Sequence, residues 1–302
     1  MGHKKKMKKE RLILTLYFIP FLLFIIAFKY VPIGGWVISF FRYKPGLQLW
    51  QCEFVGLDNF TMIFKNWEKT LLVLRNTMVL STLSLLCSPL PAIFAIFMSE
   101  IKSMRFKKAV QTITTIPHFI SWIIVYSLAF SLFSTEGVMN TILMNLGVTT
   151  KPINLLTNVN ATWWFQTLIN QWKGFGWSAI LYFAAISGID SELYDAASVD
   201  GANRFQKMLH ITVPGISSTF FTLLVLSISN FLSSGLDHYL AFYNSAVSSK
   251  ILVLDLYTYR LGLVSGDYSY STAFGILKTF VSLILLFSAN YASKKVRGSN
   301  VF

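Results

Sequence analysis

The chain is poor in the residues that catalysis or cross-linking would require. It holds two cysteines in 302 residues, Cys87 inside an apolar run and Cys52 in a connecting segment, so a disulfide framework does not organise it. Its four histidines, His3, His118, His210 and His238, are scattered without metal-ligand spacing. Acidic residues number 13 against 26 basic ones, and they form no line that would suggest a cation path. No Gly-Lys-Ser/Thr phosphate loop occurs, so the chain is not expected to hydrolyse ATP itself. Internal repeats and low-complexity stretches are missing too.

What it has in quantity is apolar surface. Hydrophobic residues make up 54%, with 27 phenylalanines and a mean hydropathy of +0.56, while charged residues reach only 13%. That composition excludes a soluble globular chain. The net charge of +13 could suggest nucleic acid, but its placement argues otherwise. Basic residues cluster at 4–11, at 102–108, just after Gly201 and at 294–297, each beside the end of an apolar run. This is positive-inside behaviour, and it sets orientation.

Six apolar runs are long enough to cross a bilayer: 12–41, 71–98, 109–133, 161–186, 216–243 and 272–291. The expected fold is therefore all-α, a polytopic membrane protein with six transmembrane helices and both termini cytoplasmic. A basic arm, 1–11, is expected to be mobile near anionic headgroups. The membrane domain then covers 12–293, and a cytoplasmic tail 294–302. The first run is too long for the core of a cleavable signal and lacks a small-residue cleavage site. The outer segments fall at 42–69, 134–160 and 244–271.

The longest hydrated interruption in the second half, 190–214, reads as two short helices around a glycine. Asp190 or Ser191 can cap the first, and Glu192 suits its positive end. Leu193, Ala196 and Ala197 make a narrow face of mostly small residues. Gly201 permits the positive φ that ends a helix. Phe205, Met208 and Leu209 repeat the spacing on the second helix, which Pro214 is expected to stop.

Polar side chains inside spans usually face a bundle interior or an aqueous cavity. Thr114, His118 and Trp122 recur every fourth residue in the third run. Asn170, Lys173, Gly174 and Trp177 share one face of the fourth. Asn230, Ser234, Asp237 and His238 make a similar stripe in the fifth. Hydroxyl, amide and imidazole groups beside flat rings suit a neutral polyol, which offers hydroxyl edges and C–H faces.

The 190–214 loop resembles the cytoplasmic EAA loop of binding-protein-dependent ABC importer permeases. The family pattern (E-A-A, three residues, G, nine residues, I-x-L-P) reads here as Asp195-Ala196-Ala197, Gly201 and Ile211-Thr212-Val213-Pro214. Asp195 stands where the family has Glu, and Val213 where it has Leu. Phe54-Val55-Gly56-Leu57-Asp58-Asn59-Phe60 resembles the F-x-G-L-x-N-[FY] stretch after the first span of sugar-importer permeases. Gln171-Trp172-Lys173-Gly174-Phe175-Gly176-Trp177, Gly266-Asp267-Tyr268-Ser269-Tyr270-Ser271 and Asn290-Tyr291-Ala292-Ser293 resemble oligosaccharide and polysaccharide importer permeases.

The resemblance implies the type I ABC importer permease fold and a non-catalytic subunit in a bacterial cell membrane. It implies a second homologous permease, an extracellular solute-binding protein and two cytoplasmic ATPase subunits that hold ATP and Mg. No cofactor is expected in this chain, and no nucleic acid. Contact with the ATPase is carried onto Glu192, Asp195, Ala196, Ala197, Asp200, Gly201, Ala202, Phe205, Ile211 and Pro214. Contact with sugar, by matching to maltose-type permeases, is carried onto Thr114, His118, Asn170, Lys173, Gly174, Trp177, Ser234 and His238. Two other readings stand beside this one. A permease for an amino acid, metal or phosphate would want carboxylate or arginine clusters in the spans, which are missing. A polytopic glycosyl or acyl transferase would want a His-Asp pair, and Asp237-His238 are adjacent residues that point apart on a helix.

Overall fold

Proline and polar residues decide where each apolar run stops being one straight helix. The computed structural model describes residues 2–297, with side chains over 14–295. Helix α1 (Gly2–Ile25) starts within the basic arm, so the arm's backbone is helical and continuous with the first span. The span widens through a π-turn at Ile26–Tyr30 and tightens into a 3-10 helix over Val31–Phe40. After α2 (Asp58–Lys65), the second run divides into α3 (Trp67–Leu86) and α4 (Pro89–Ser99). The third divides into α5 (Met104–Thr115), a 3-10 turn (Ile116–Phe119) and α6 (Trp122–Phe133). Next come α7 (Val138–Asn145) and the unbroken α8 (Thr162–Ser187). The 190–214 loop supplies α9 (Ser191–Val199) and α10 (Arg204–Lys207), which passes through a π-turn (Met208–Thr212) into α11 (Val213–Ser229). The chain finishes with α12 (Leu236–Phe242), α13 (Ser248–Ile251), α14 (Leu254–Tyr259), a π-turn (Arg260–Val264) and α15 (Tyr268–Arg297). Among the described residues the extended pairing outside helices is one bridge, Phe41 to Phe54. The end of the expected tail, 298–302, lies outside them.

Five stretches are long and apolar enough to cross a membrane: Leu14–Phe40, Trp67–Ser99, Trp122–Asn145, Arg204–Ser229 and Tyr268–Lys295. Helix α8 has the length, at 26 residues, but Gln166, Asn170, Gln171 and Lys173 hold its hydropathy down. With α8, the six-span reading stands. Three local expectations do not. The third run is interrupted at 116–121, where Pro117 lacks an amide hydrogen, and its membrane-length stretch starts at Trp122 and continues to Asn145. Pro214 does not stop the second loop helix. It sits in the first turn of α11 just past the wide π-turn, a position where a missing N–H is tolerated. The segment 244–271 is not a simple outer loop, because Ile251, Leu252, Val253, Leu254, Leu256 and Tyr257 are buried.

Two compact units divide the chain. One takes in the chain up to Asn66 together with Thr258–Leu277. Within it Asn59 donates to the carbonyls of Ser39 (2.8 Å) and Phe41 (3.3 Å), while Phe60 packs on Phe40. The Tyr43 amide donates to Ser269 Oγ at 3.0 Å, and Asn66 donates to the Tyr270 hydroxyl at 3.3 Å. The two stretches singled out as F-x-G-L-x-N-F and G-D-Y-S-Y-S thus supply the polar ties of one unit.

The other unit, Trp67–Tyr257 with the chain from Lys278 onward, contains the core. Ala92 and Ala95 of α4 meet Tyr182 of α8 and Ile216 of α11, with Phe183, Ile189 and Phe220 around them. Small residues at such crossings let helix backbones approach closely, which is how helices associate without a hydrophobic gradient in lipid. The segment 248–254, buried from Ile251 onward, is bolted to α3 through side chains. Asn76 donates to the carbonyls of Ser249 (3.1 Å) and Leu252 (3.2 Å), and the Leu254 amide donates to Thr77 Oγ1 (2.9 Å). Trp163 Nε1 donates to the Lys250 carbonyl at 3.0 Å, and the Lys250 ammonium lies 3.5 Å from the same indole's centroid.

Candidate functional site

Helix α8 presents Asn170, Lys173, Gly174 and Trp177 along one face, as its spacing predicts. Two interrupted helices meet that face. The 3-10 turn after α5 lays His118 flat on Trp177, rings parallel and centroids 4.4 Å apart. Ile120 and Ser121 are extended, and Ser121 Oγ then accepts the Ile124 amide to open α6 at Trp122. Trp122 stacks on His238 of α12 at 3.9 Å. Lys173 reaches between them: its ammonium donates to the His118 carbonyl at 2.6 Å and lies 5.2 Å from the Trp122 ring centroid. His238 is 1% exposed, and neither ring nitrogen finds a partner among the described residues.

The expected continuous stripes are corrected here. Thr114, His118 and Trp122 do not share one helix face, because the chain leaves the α conformation at Ile116. Asn230, Ser234 and His238 do not either, because α11 ends at Ser229 and α12 begins at Leu236. His118 and His238 still converge on α8, from separate elements. Thr114 does not join them through its side chain. Its hydroxyl donates to the carbonyls of Val110 (2.8 Å) and Gln111 (3.1 Å) in its own helix.

Beside the stack lie two hollows of about 200 and 380 Å³ that share Ser84, Ser88, Ser227 and Asn230 in their walls. Asn170, Ser234 and Tyr239 line the smaller one, and Gln171, Trp177 and Ser178 the larger. Among the described residues no carboxylate, ammonium, guanidinium or imidazole group lines either hollow. The sugar-contact candidates therefore separate into two sets. Asn170, Trp177 and Ser234 reach the hollows, while His118, Lys173 and His238 form the stack behind Trp177. Gly174 adds no group, and a side chain there would meet open space.

Several residues of the site were not foreseen. Ser81, Ser84 and Ser88 come from the second run, where serine is usually read as satisfied by its own helix. Ser81 instead donates to the Phe231 carbonyl, at the break after α11. Trp122, expected only on a face shared with Thr114 and His118, lies between Lys173 and His238. Asp255, placed in an outer segment, accepts from the Ser234 amide at 2.9 Å and the Gly235 amide at 3.2 Å. The apolar run Ile251-Leu252-Val253-Leu254 just before it was the available signal that this segment is buried.

The 190–214 loop carries its own geometry. Asp190 caps α9 by accepting the Glu192 amide at 3.0 Å. Gly201 turns the chain at φ +76°, and the Ala202 amide returns to the Ala197 carbonyl at 2.8 Å. Asn203 and Gln206 then form a reciprocal cap on α10. The Tyr194 hydroxyl meets Thr212 Oγ1 at 2.9 Å, tying α9 to the following helix. Ala197, Asp200, Gly201, Ala202 and Ile211 line a hollow of about 320 Å³ with Gln206, Lys207 and His210. Glu192, Asp195 and Ala196 are exposed, as are Leu193 and Val199, the last 90% exposed, while Phe205 borders an apolar hollow with Ile93, Phe97 and Leu209. Pro214 lies within the helical rod, and its expected stop is absent.

Comparison with known proteins places this architecture. The family described as "Binding-protein-dependent transport system inner membrane component" matches residues 87–298. Protein LplB of Bacillus subtilis (strain 168) is 41% identical over 294 residues, covering 96% of this chain and 91% of that protein. The polygalacturonan/rhamnogalacturonan transport system permease protein YteP of the same organism is 40% identical over 312 residues, covering 99% and 95%. A crystal structure of a bacterial alginate ABC transporter, in complex with an alginate pentasaccharide-bound periplasmic protein, contains a chain that superposes with a TM-score of 0.87. Sequence identity to it is 33%, and the match covers 98% of each chain.

Proposed function

This chain belongs to the family of binding-protein-dependent transport system inner membrane components, and on that premise we propose that it forms part of the translocation path of an ATP-driven oligosaccharide or polysaccharide importer. One observation carries the choice of cargo. The adjoining hollows are walled by serine, asparagine, glutamine and tyrosine beside Trp177, Leu and Phe, with no charged group among the described residues. Such a wall exchanges hydrogen bonds with hydroxyl edges and packs against C–H faces. The relatives named for polygalacturonan/rhamnogalacturonan and alginate transport support a polyhydroxylated chain molecule as cargo.

In this reading the chain pairs with a second permease, and two ATPase subunits holding ATP and Mg seat against Glu192, Asp195, Ala196, Ala197, Asp200, Gly201, Ala202, Phe205, Ile211 and Pro214. A saccharide-loaded binding protein delivers on the opposite side. The basic clusters put both termini in the cytoplasm. The apolar side chains of the first span, Leu14–Phe40, are exposed in the isolated chain and offer lipid or a partner a continuous surface. ATP-driven closure of the ATPases draws the loops together and switches the bundle between inward- and outward-open arrangements.

The hollow supplies the test. Asn170→Leu and Ser234→Leu each replace a hydrogen-bonding group with an apolar one. Each is expected to lower saccharide-stimulated ATP hydrolysis of the reconstituted complex by about tenfold, as when a polar partner is left unpaired. Elution of the assembled complex at its normal position controls for folding. Wild-type stimulation in both variants would remove the hollow from the cargo path.

A further inference from the structure

Two helices of the second unit are interrupted beside the hollows, and an interruption at membrane depth leaves backbone groups that neighbouring side chains or cavity water must satisfy. At the first break a cation does so: the Lys173 ammonium takes up the His118 carbonyl. At the second, over 230–235, the freed groups are the Ser234 and Gly235 amides, which need an acceptor. Asp255 supplies it. One carboxylate oxygen, Oδ2, accepts from both Ser234 (2.9 Å) and Gly235 (3.2 Å), while the other, Oδ1, accepts from the Lys278 ammonium of α15. The carboxylate and the ammonium are 16% and 20% exposed, so the pair is largely withdrawn from water.

We propose that Asp255, neutralised by Lys278, is the positioning residue that holds the 230–235 break open and so presents Asn230, Ser233 and Ser234 to the saccharide path. The assignment of cargo rests on the function proposed above; the clamp itself does not. Asp255 is well placed for the task because its own segment is fixed, the preceding Leu254 amide being held by Thr77 and the Leu252 carbonyl by Asn76. Gly235, at φ +89°, lets the chain turn into α12 directly after its amide is captured. Three elements thus meet at one carboxylate: the break itself, α14 and α15. A shift of α15 that withdrew Lys278 would take a counter-charge from a largely buried anion, so the last helix bears on the break through Asp255.

The role requires a hydrogen-bond acceptor at 255, not merely a charge opposite 278. Asp255→Leu removes the acceptor altogether. The exchange Asp255→Lys with Lys278→Asp restores a pair, yet lysine donates only and cannot receive the two amides. Backbone hydrogen exchange over 230–236, measured on the assembled complex, reads the clamp without any assumption about cargo. Saccharide-stimulated ATP hydrolysis reads its consequence for transport. In Asp255→Leu and in the charge-exchanged variant, exchange over 230–236 is expected to accelerate by about tenfold or more, with a comparable loss of stimulation. Exchange at wild-type rate in Asp255→Leu overturns the proposal, as does recovery of wild-type exchange in the charge-exchanged variant. Faster exchange with no response to saccharide in any form, the unsubstituted complex included, would leave the clamp standing and sink the cargo reading instead. If Asp255→Leu does not assemble, Asp255→Ala removes the acceptor with less bulk, and wild-type exchange there overturns the clamp equally.

Discussion

Gly176→Ala is expected to prevent the complex from assembling. A Cβ built on Gly176 lies 2.2 Å from the Thr114 carbonyl oxygen, 2.3 Å from its carbon and 2.7 Å from the Thr115 nitrogen. All three are backbone atoms of α5, so no rotamer change relieves the overlap. The helices would have to separate by more than an ångström, and inserted bulk of this kind costs about 1–3 kcal/mol even where side chains can yield. Here more is lost, because α5 leads into the turn that places His118 on Trp177 and under the reach of Lys173. Gly174→Ala is the internal control, since a side chain there meets nothing within 4 Å. The check is the yield of monodisperse complex and its melting temperature. Gly176→Ala is expected to give little or none, and Gly174→Ala to match the unsubstituted protein. Normal melting of Gly176→Ala would mean that α5 and α8 do not touch as described.

Gly201→Val is expected to uncouple rather than unfold. No atom lies within 4 Å of a side chain built there, so the penalty is confined to backbone conformation at φ +76°. A left-handed residue costs about 1–2 kcal/mol for ordinary L side chains, and more for a β-branched one. The chain can avoid it by re-routing the exposed link between α9 and α10, which would move Ala197 and Ala202 off the hollow they share with Ile211. Assembly with the ATPases, or saccharide-stimulated ATP hydrolysis, should fall by about tenfold or more, as a loss of that size in docking energy dictates. Gly201→Asn, whose short polar side chain visits the left-handed region, should keep most of the activity. Full stimulation in the valine variant would exclude the loop from coupling.

The sequence was most informative where a residue acts locally. Asp190 as a cap, Gly201 as a turn and the single polar face of α8 each depend on residues a few positions apart, and each stands in the structure. The span count followed from apolar length and basic ends. Reading failed where a helix had to be assumed continuous. The fourfold spacing from Thr114 to Trp122 means a shared face only if Pro117 lies inside a regular helix, and Pro117 instead opens a 3-10 turn. The stripe from Asn230 to His238 was broken in the same way around Gly235. Asp255 was illegible for another reason. Ser234, Gly235 and Lys278 lie 21, 20 and 23 positions away, on elements whose adjacency no local pattern encodes. The cavity serines of α3 were hidden by their own ordinariness, since a serine in a span is usually silent.

Pro214 does not end the helix, and this has a mechanical consequence. From Arg204 to Ser229 the chain is a continuous helical rod of 26 residues, about 39 Å long at the α-helical rise of roughly 1.5 Å, with a π-turn at Met208–Thr212. On the function proposed above, a push received at Phe205 would travel along this rod to Asn230. Its give would then lie at two places, the π-turn and the gap past Ser229 beside the hollows.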